Sequence, residues 1–380
     1  MPRVLVIADD LTGAAEIAGI ASRFGLDTQL LRAQTPPPTA CDCVVYDTNT
    51  RLLRRNDAVQ ITRSYAEAAR AGTFDWVFKK TDSVLRGEPL AEVNAVADVF
   101  RRGRVLFVPH NPSRGRCIVG GVYLVHGQRL DQTEFADDPL HPATSAEAIA
   151  LLRPTAADVL STHAPGGQPT RGVVIGEAST LAEVDEWANE FDPAQDLAAG
   201  GADFFEALCR RFTTVRPPAI EAPLLPRPLL IVSGTASPAT AAFRARLSRD
   251  GQLSRMPDDL FHDTADATTL LGWAKDAVIP LQQSGVAMMA IDRAGACAPG
   301  RAEYLGCTLV GAAARAAQVG QVRTVACEGG ATAAAWCDFV GWRRFRVDGE
   351  LAPGVVALRL YGANDMRFVL KPGSYPWPTL

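Results

Sequence analysis

Short apolar runs recur along the chain at the spacing of a βα rhythm. Residues 3 to 8, 27 to 31, 43 to 47, 74 to 79 and 104 to 109 are rich in Val, Ile, Leu and Phe and read as buried strands. Between them, 11 to 24 and 55 to 71 carry apolar residues at helical spacing, closed by Gly25 and Gly72. Gly120 to Val125 reads as an added strand and Thr133 to Pro142 as irregular. The rhythm stops at Arg216 to Pro228, where five prolines fit neither helix nor strand. It then restarts with strands at 229 to 232, 286 to 291 and 322 to 327, and helices at 238 to 249, 265 to 283, 301 to 317 and 331 to 340. Short strands near 355 to 360 and 366 to 370 finish the chain. This pattern predicts an α/β protein of two doubly wound domains, 1–215 and 229–380, joined by a Pro-rich linker at 216–228.

Polar residues cluster where the apolar runs end. Asp9 and Asp10 follow the first strand and precede Thr12 and Gly13; Asp47, Thr48, Asn49, Thr50 and Arg51 follow the third. Lys79, Lys80, Asp82, Ser83 and Arg86 follow the fourth. In open α/β sheets ligands bind beyond the carboxyl ends of strands, so these groups are predicted to share one pocket. A helix cap requires a single carboxylate at Asp10. Its neighbour then needs a metal, an arginine or a substrate hydroxyl. Cations suit a carboxylate or phosphate and aspartates suit hydroxyls, so the expected ligand is a small hydroxylated anion.

The second half places small residues at the same positions. Ser233, Gly234, Thr235, Ala236 and Ser237 follow an apolar strand, with Ser237 at N-cap and Pro238 at the first helical position. Glu328, Gly329, Gly330, Ala331 and Thr332 repeat the design. Amides at such helix starts bind phosphate, and the hydroxyls of Ser233, Thr235 and Ser237 are further candidate donors. No Walker A loop occurs in the chain.

Composition narrows the classes. With 380 residues, 47% hydrophobic and 21% charged, the chain can fill two cores. A net charge of -4 argues against a nucleic-acid partner. No apolar run approaches a membrane span and no signal peptide opens the chain, which predicts a cytoplasmic protein. The eight cysteines (41, 43, 117, 209, 297, 307, 327 and 337) read as reduced thiols, since Cys41 and Cys43 have no second pair to complete a zinc site.

The motifs ADDLTGA (8 to 14), NTR (49 to 51), KKTDSVLRG (79 to 87), NPSRGR (111 to 116) and GGVYLVHG (120 to 127) resemble those of the four-carbon acid sugar kinases. So do VSGTASPAT (232 to 240), EGGAT (328 to 332) and LKPGSY (370 to 375). The resemblance implies phosphorylation of threonate, erythronate or a 3-oxo-tetronate with ATP, by a sugar-acid-binding domain followed by a nucleotide-binding one. Such a transfer needs a base for the attacking hydroxyl, for which Asp10 or Asp82 is the candidate, with Asp9 as a substrate or Mg²⁺-water ligand. Arg51 would hold the acid's carboxylate, Lys79, Lys80 and Arg86 an anion, with Thr12 and Ser83 beside the substrate. Ser233, Thr235, Ser237, Gly329, Gly330, Ala331, Thr332 and Gly373 would surround ATP. Asp82→Asn should then lower kcat far more than thermal stability. Partners would be the acid and ATP, with self-association into a homo-oligomer left open. Two departures stand out: Ala331 replaces an acidic residue, and Pro372 removes an amide from the closing loop. They keep open a non-catalytic sugar-acid sensor. A haloacid-dehalogenase-like phosphatase fits less well, because its chemistry wants D-x-D and these aspartates are adjacent.

Overall fold

The computed structural model describes residues 1–138, 141–167, 169–215, 217, 219–235, 237–262, 267–293, 300–363 and 365–378. Two compact units, Met1–Pro218 and Ala219–Leu380, make up the chain. Cys297, Ala236 and parts of the expected linker (Arg216, Pro218) lie outside the described residues.

In the first unit the order is β1 (Val4–Ala8), α1 (Leu11–Arg23), β2 (Thr28–Leu31), β3 (Cys43–Asp47), α2 (Arg55–Ala69), β4 (Trp76–Lys80), α3 (Pro89–Phe100) and β5 (Arg104–Val108). A hairpin follows, β6 (Arg116–Val119), β7 (Val122–Val125) and β8 (Gln128–Arg129). Then come α4 (Ala148–Leu151), β9 (Leu160–His163), β10 (Gly172–Gly176), α5 (Leu181–Glu190), β11 (Asp196–Gly200) and α6 (Ala202–Phe212). The main sheet runs β2-β3-β1-β4-β11-β5-β10-β9, all parallel. From β1 the chain winds outwards to β2 and β3, then returns through α2 to β4 on the other side. Right-handed crossovers in opposite directions put their helices on opposite faces. Accordingly α1 packs with α6, and α2 with α3. The reversal point lies between β1 and β4, where an open α/β sheet offers its crevice.

Burial explains why the apolar runs become strands. All five residues of β1 are solvent-inaccessible, and covering each large aliphatic side chain contributes roughly 1.5–3 kcal/mol. Ala14, Ala15 and Ala18 let α1 approach the sheet closely.

The second unit repeats the plan with β12 (Leu229–Ser233), α7 (Ala241–Arg249), β13 (Leu253–Arg255), α8 (Asp258–Phe261), α9 (Ala267–Ser284) and β14 (Val286–Ala290). It continues with α10 (Arg301–Val319), β15 (Thr324–Glu328), α11 (Gly330–Val340), β16 (Arg344–Ala352), β17 (Val355–Leu360) and β18 (Arg367–Lys371). Its sheet runs β13-β14-β12-β15-β18-β17-β16, with β17 antiparallel to both neighbours. The reversal between β12 and β15 matches that between β1 and β4.

Three local expectations change. Gly120 and Gly121, both at positive φ, form the turn between β6 and β7, so 120 to 125 is a turn and strand of a hairpin. A short 3-10 turn at Glu134–Asp137 occupies part of the supposedly irregular stretch. Ser237 caps a 3-10 turn, Pro238–Thr240, before α7 begins at Ala241.

His110, at the end of β5, is fully buried, and burial pushes its imidazole down from 6.5 to about 3. Between those values the unfolded chain holds a proton that the folded one lacks. Stability attributable to His110 is therefore complete above pH 6.5 and falls by about 1.4 kcal/mol per pH unit on acidification. Asp47, raised by burial to about 6 despite Arg32, acts in the opposite sense between about pH 4 and 6. A comparison isolates the histidine. Urea titrations at pH 7.5 and 4.5 should show His110→Leu losing less stability than the parent over that interval.

Candidate functional site

The β1/β4 crevice gathers the predicted charges around one guanidinium. Arg51 bonds both oxygens of Asp9, Nε to Oδ2 and Nη2 to Oδ1, each at 2.9 Å. Nη2 also reaches Asp10 Oδ1 at 2.6 Å, and Nη1 lies 3.6 Å from Asp82 Oδ1. Asp82 in turn takes a two-pronged bond from Arg86 at 2.9 Å per prong, with the amides of Val84 and Arg86 on Oδ2. Arg86 also faces Asp138 at 3.3 Å. Gly87 makes this loop fit: its φ is +83°, and a Cβ would fall 3.0 Å from the Arg51 carbonyl oxygen. The structure therefore brings Asp9, Asp10, Arg51, Asp82 and Arg86 together in one cluster at the strand ends.

Burial raises Asp9 and Asp82, but cations outweigh it at both: Arg51, with Lys79 and Lys80, holds Asp9 below the usual carboxylate range, and Arg86 with Arg51 holds Asp82 well below it. Asp10 caps α1, accepting from the Gly13 amide at 2.9 Å. Its other oxygen accepts the Thr12 hydroxyl. Asp10 is the most accessible of the three side chains, 14% exposed against 5% for Asp9 and 7% for Asp82.

The anion clamp requires correction. Lys79 and Lys80 are consecutive in a strand and so face opposite sides of the sheet. Lys79 is wholly buried, 3.0 Å from Glu92 on α3 and donating to the Lys80 carbonyl. Thr50 and Thr62 each donate to the same Glu92 oxygen at 2.9 Å. Lys79 thus braces the wall through Glu92 in place of clamping a ligand anion. Lys80 points towards α1, 3.7 Å from Glu16, and donates to the Thr81 carbonyl at 2.9 Å. Arg51 is corrected as well, since three aspartates occupy it in place of a ligand carboxylate. Ser83 accepts from Arg116 and, through its carbonyl, from Tyr123. Glu16, Glu92, Asp138 and Arg116 were not singled out from sequence; a glutamate inside the otherwise apolar α1 or α3 was the available signal.

In the second unit, Gly329 (φ +95°) sits at the N-cap of α11, and no side chain caps that helix. Its Gly330, Ala331 and Thr332 amides form the first turn, whose N–H groups have no intrahelical acceptor. Gly234 stands so close to this turn that a Cβ would lie 2.5 Å from Thr332 Oγ1. A Cβ at Gly373 would lie 3.5 Å from Thr235 Oγ1, an ordinary van der Waals contact, so the two loops are neighbours without requiring glycine there. Thr235 accepts from the Ser237 amide at 3.2 Å, while Ser237 accepts from Ala239. Ser233 is a correction: its hydroxyl is buried and turns to the Thr235 carbonyl at 3.3 Å. Beneath the loops Lys371 and Glu328, both fully buried, lie 3.4 Å apart. Trp377 donates to Glu328 at 3.1 Å and stacks on Phe243. Burial lowers Lys371, against the pull of Glu328.

Among the described residues no group of three His, Cys, Asp or Glu side chains is arranged to hold a metal ion. Each Asp9 oxygen already accepts from Arg51, so the crevice is not built as a cage of direct metal ligands.

A family model described as a sugar-binding N-terminal domain matches residues 4–186, and one described as a nucleotide-binding C-terminal domain matches 230–375. The 3-oxo-tetronate kinase of Burkholderia multivorans is 26% identical over 98% of this chain and 94% of that protein. The chain belongs to the four-carbon acid sugar kinase family. Within the family, the D-threonate kinase of Salmonella typhimurium is 29% identical over 63% of this chain and 59% of its own length. The D-erythronate kinase of Heliobacterium modesticaldum is 33% identical over 48% and 41%. The matches to these two relatives therefore span less than two thirds of their length. A solved structure from Salmonella typhimurium LT2 shares the fold, with a TM-score of 0.80 at 19% identity over 99% of this chain and 97% of that one. No helix among the described residues is long and apolar enough to cross a membrane.

Proposed function

We propose that the protein is an ATP-dependent kinase that transfers a phosphoryl group to a hydroxyl of a four-carbon sugar acid such as D-threonate, D-erythronate or 3-oxo-tetronate. The observation that carries this reading is the contrast between two equivalent reversal points. The first presents carboxylates held by arginines; the second presents glycines and an uncapped helix start. Hydroxyl recognition and phosphate recognition need those two surfaces respectively. Residues 1–215 would bind the acid and 229–380 the nucleotide.

Asp10 is assigned as the base, being the most accessible carboxylate. Asp82, by contrast, is too strongly stabilised as an anion to take a proton readily. Asp9, Arg51, Asp82 and Arg86 fix the position of Asp10; Thr12, Lys80 and Ser83 border the acid. The amides of Gly330 to Thr332, with Thr235, Ser237 and Gly373, would receive the phosphates. Phosphoryl transfer asks chiefly for positioning and charge neutralisation, which such a scaffold supplies. Mg²⁺ would arrive on the nucleotide's phosphates, keeping most of its waters. The cytoplasm, where ATP is abundant, is the expected location, and a homo-oligomer is compatible with this chemistry.

The reading is tested by ADP release in the presence of each candidate acid and its enantiomer. ADP formation should depend on one or a few of them. A second measurement probes the nucleotide loops. Gly234→Ala should displace Thr332 and raise the KM for ATP about tenfold, some 1.4 kcal/mol, while acid affinity by calorimetry stays unchanged.

A further inference from the structure

An arginine next to a carboxylate cluster ordinarily pairs with it, because the charge-assisted fork is among the stronger contacts available. In the first crevice every other cation obeys this. Arg51 holds Asp9 and Asp10, Arg86 holds Asp82, Lys79 faces Glu92, and Lys80 faces Glu16. Arg116 does not. Among the described residues it has no carboxylate within salt-bridge distance. Its Nη1 donates to the hydroxyl of Ser83, the neighbour of Asp82, and its guanidinium lies over the Phe135 ring, 5.4 Å from the centroid. A guanidinium carries five N–H donors, and Ser83 uses one.

The main chain presenting this side chain is fixed. The Arg116 amide bonds the Asn111 carbonyl at 3.1 Å, and Asn111 Oδ1 accepts from the Asp203 amide at 3.1 Å. Ser113 is tied to Asp203 through both its amide and its hydroxyl, at 2.9 and 2.7 Å. Gly115, at φ +65°, lies so close to His126 that a Cβ would fall 2.3 Å from Nδ1. The loop can therefore hold a cation in place before any ligand arrives, which limits the entropy lost on binding.

We propose that Arg116 holds the carboxylate of the sugar acid, the role that the saturated Arg51 cannot take, and so selects acids over uncharged analogues. The inference deepens the kinase reading and rests on it for the class of ligand. A carboxylate on Arg116 would lie beside Ser83 and Asp82, leaving the hydroxylated end of the molecule to the aspartates.

Calorimetric binding tests it without turnover, using D-threonate, D-erythronate and the uncharged amide of each. The parent should bind one of the acids more tightly than its amide. Arg116→Gln should weaken that acid about 10–100-fold, the loss of one charge-assisted pair, and shift the amide less than twofold. Arg116→Lys, which keeps the charge and loses the fork, should fall between. Equal weakening of acid and amide would mark a purely structural role and overturn the inference. So would unchanged acid affinity in Arg116→Gln, or a parent that binds neither acid. Acid binding through Arg116 without ADP formation would uphold the inference and overturn the kinase reading.

Discussion

Asp10→Asn is expected to lower kcat about 10²–10⁴-fold, the range for loss of a positioned general base, with little change in melting temperature. The two effects separate because Asp10 has two tasks. As cap of α1 it accepts the Gly13 amide, and asparagine caps a helix equally well. As base it must be an anion, which asparagine cannot be. Arg51 would lose one partner but keep both oxygens of Asp9. A fall in kcat with normal thermal unfolding supports the assignment. Retained kcat would remove Asp10 from the chemistry.

Asp82→Asn is expected to behave in the opposite way. The buried contacts of Asp82 argue for a larger loss of stability than the sequence alone suggests. Asp82 is buried and accepts from two arginine nitrogens and two amides, with a second arginine 3.6 Å away. Removing its charge leaves Arg86 and Arg51 under-neutralised, and breaking such a buried pair typically costs about 3–5 kcal/mol. Arg86 is one-third exposed, which places this site towards the lower end. For a unit of this size each kcal/mol moves Tm by about 2–4 °C. A drop of about 6–12 °C is expected, with activity falling as the crevice loosens. The pH dependence follows the same sign. Asp82 sits below its unfolded value, so its contribution is complete above about pH 4 and is lost as acid drives it through the lower native value. Scanning calorimetry at pH 7 checks the first statement. An unchanged Tm would mean that Asp82 is not the keystone described.

Where an apolar run ended in charge, the sequence was legible: β1, β3 and β4 each run into polar residues, and that is where Asp9, Asp10, Arg51 and Asp82 stand. Strand β11 was not legible, although it separates β4 from β5. Its Asp-Leu-Ala-Ala-Gly has little β-branched character, and its small residues answer to close packing. Gly200 shows why: a Cβ there would lie 2.0 Å from the Val108 carbonyl oxygen. The division of labour between Lys79 and Lys80 needed the strand's alternation and the helix each one meets. Glu92 lies on the next helix and Glu16 64 residues back, so only the fold discloses which lysine meets which. Arg116 illustrates the remaining difficulty, since a cation is notable only once its neighbours are seen to be paired.

The central claim is that an ATP phosphoryl group ends on a hydroxyl of a four-carbon acid. Phosphorus NMR of the two-unit chain with ATP, Mg²⁺ and the candidate acids is the decisive measurement. The account predicts a new phosphomonoester resonance growing in step with ADP, for one or a few acids, and absent in Asp10→Asn. ATP converted only to ADP and inorganic phosphate, or left intact with every acid, would contradict it.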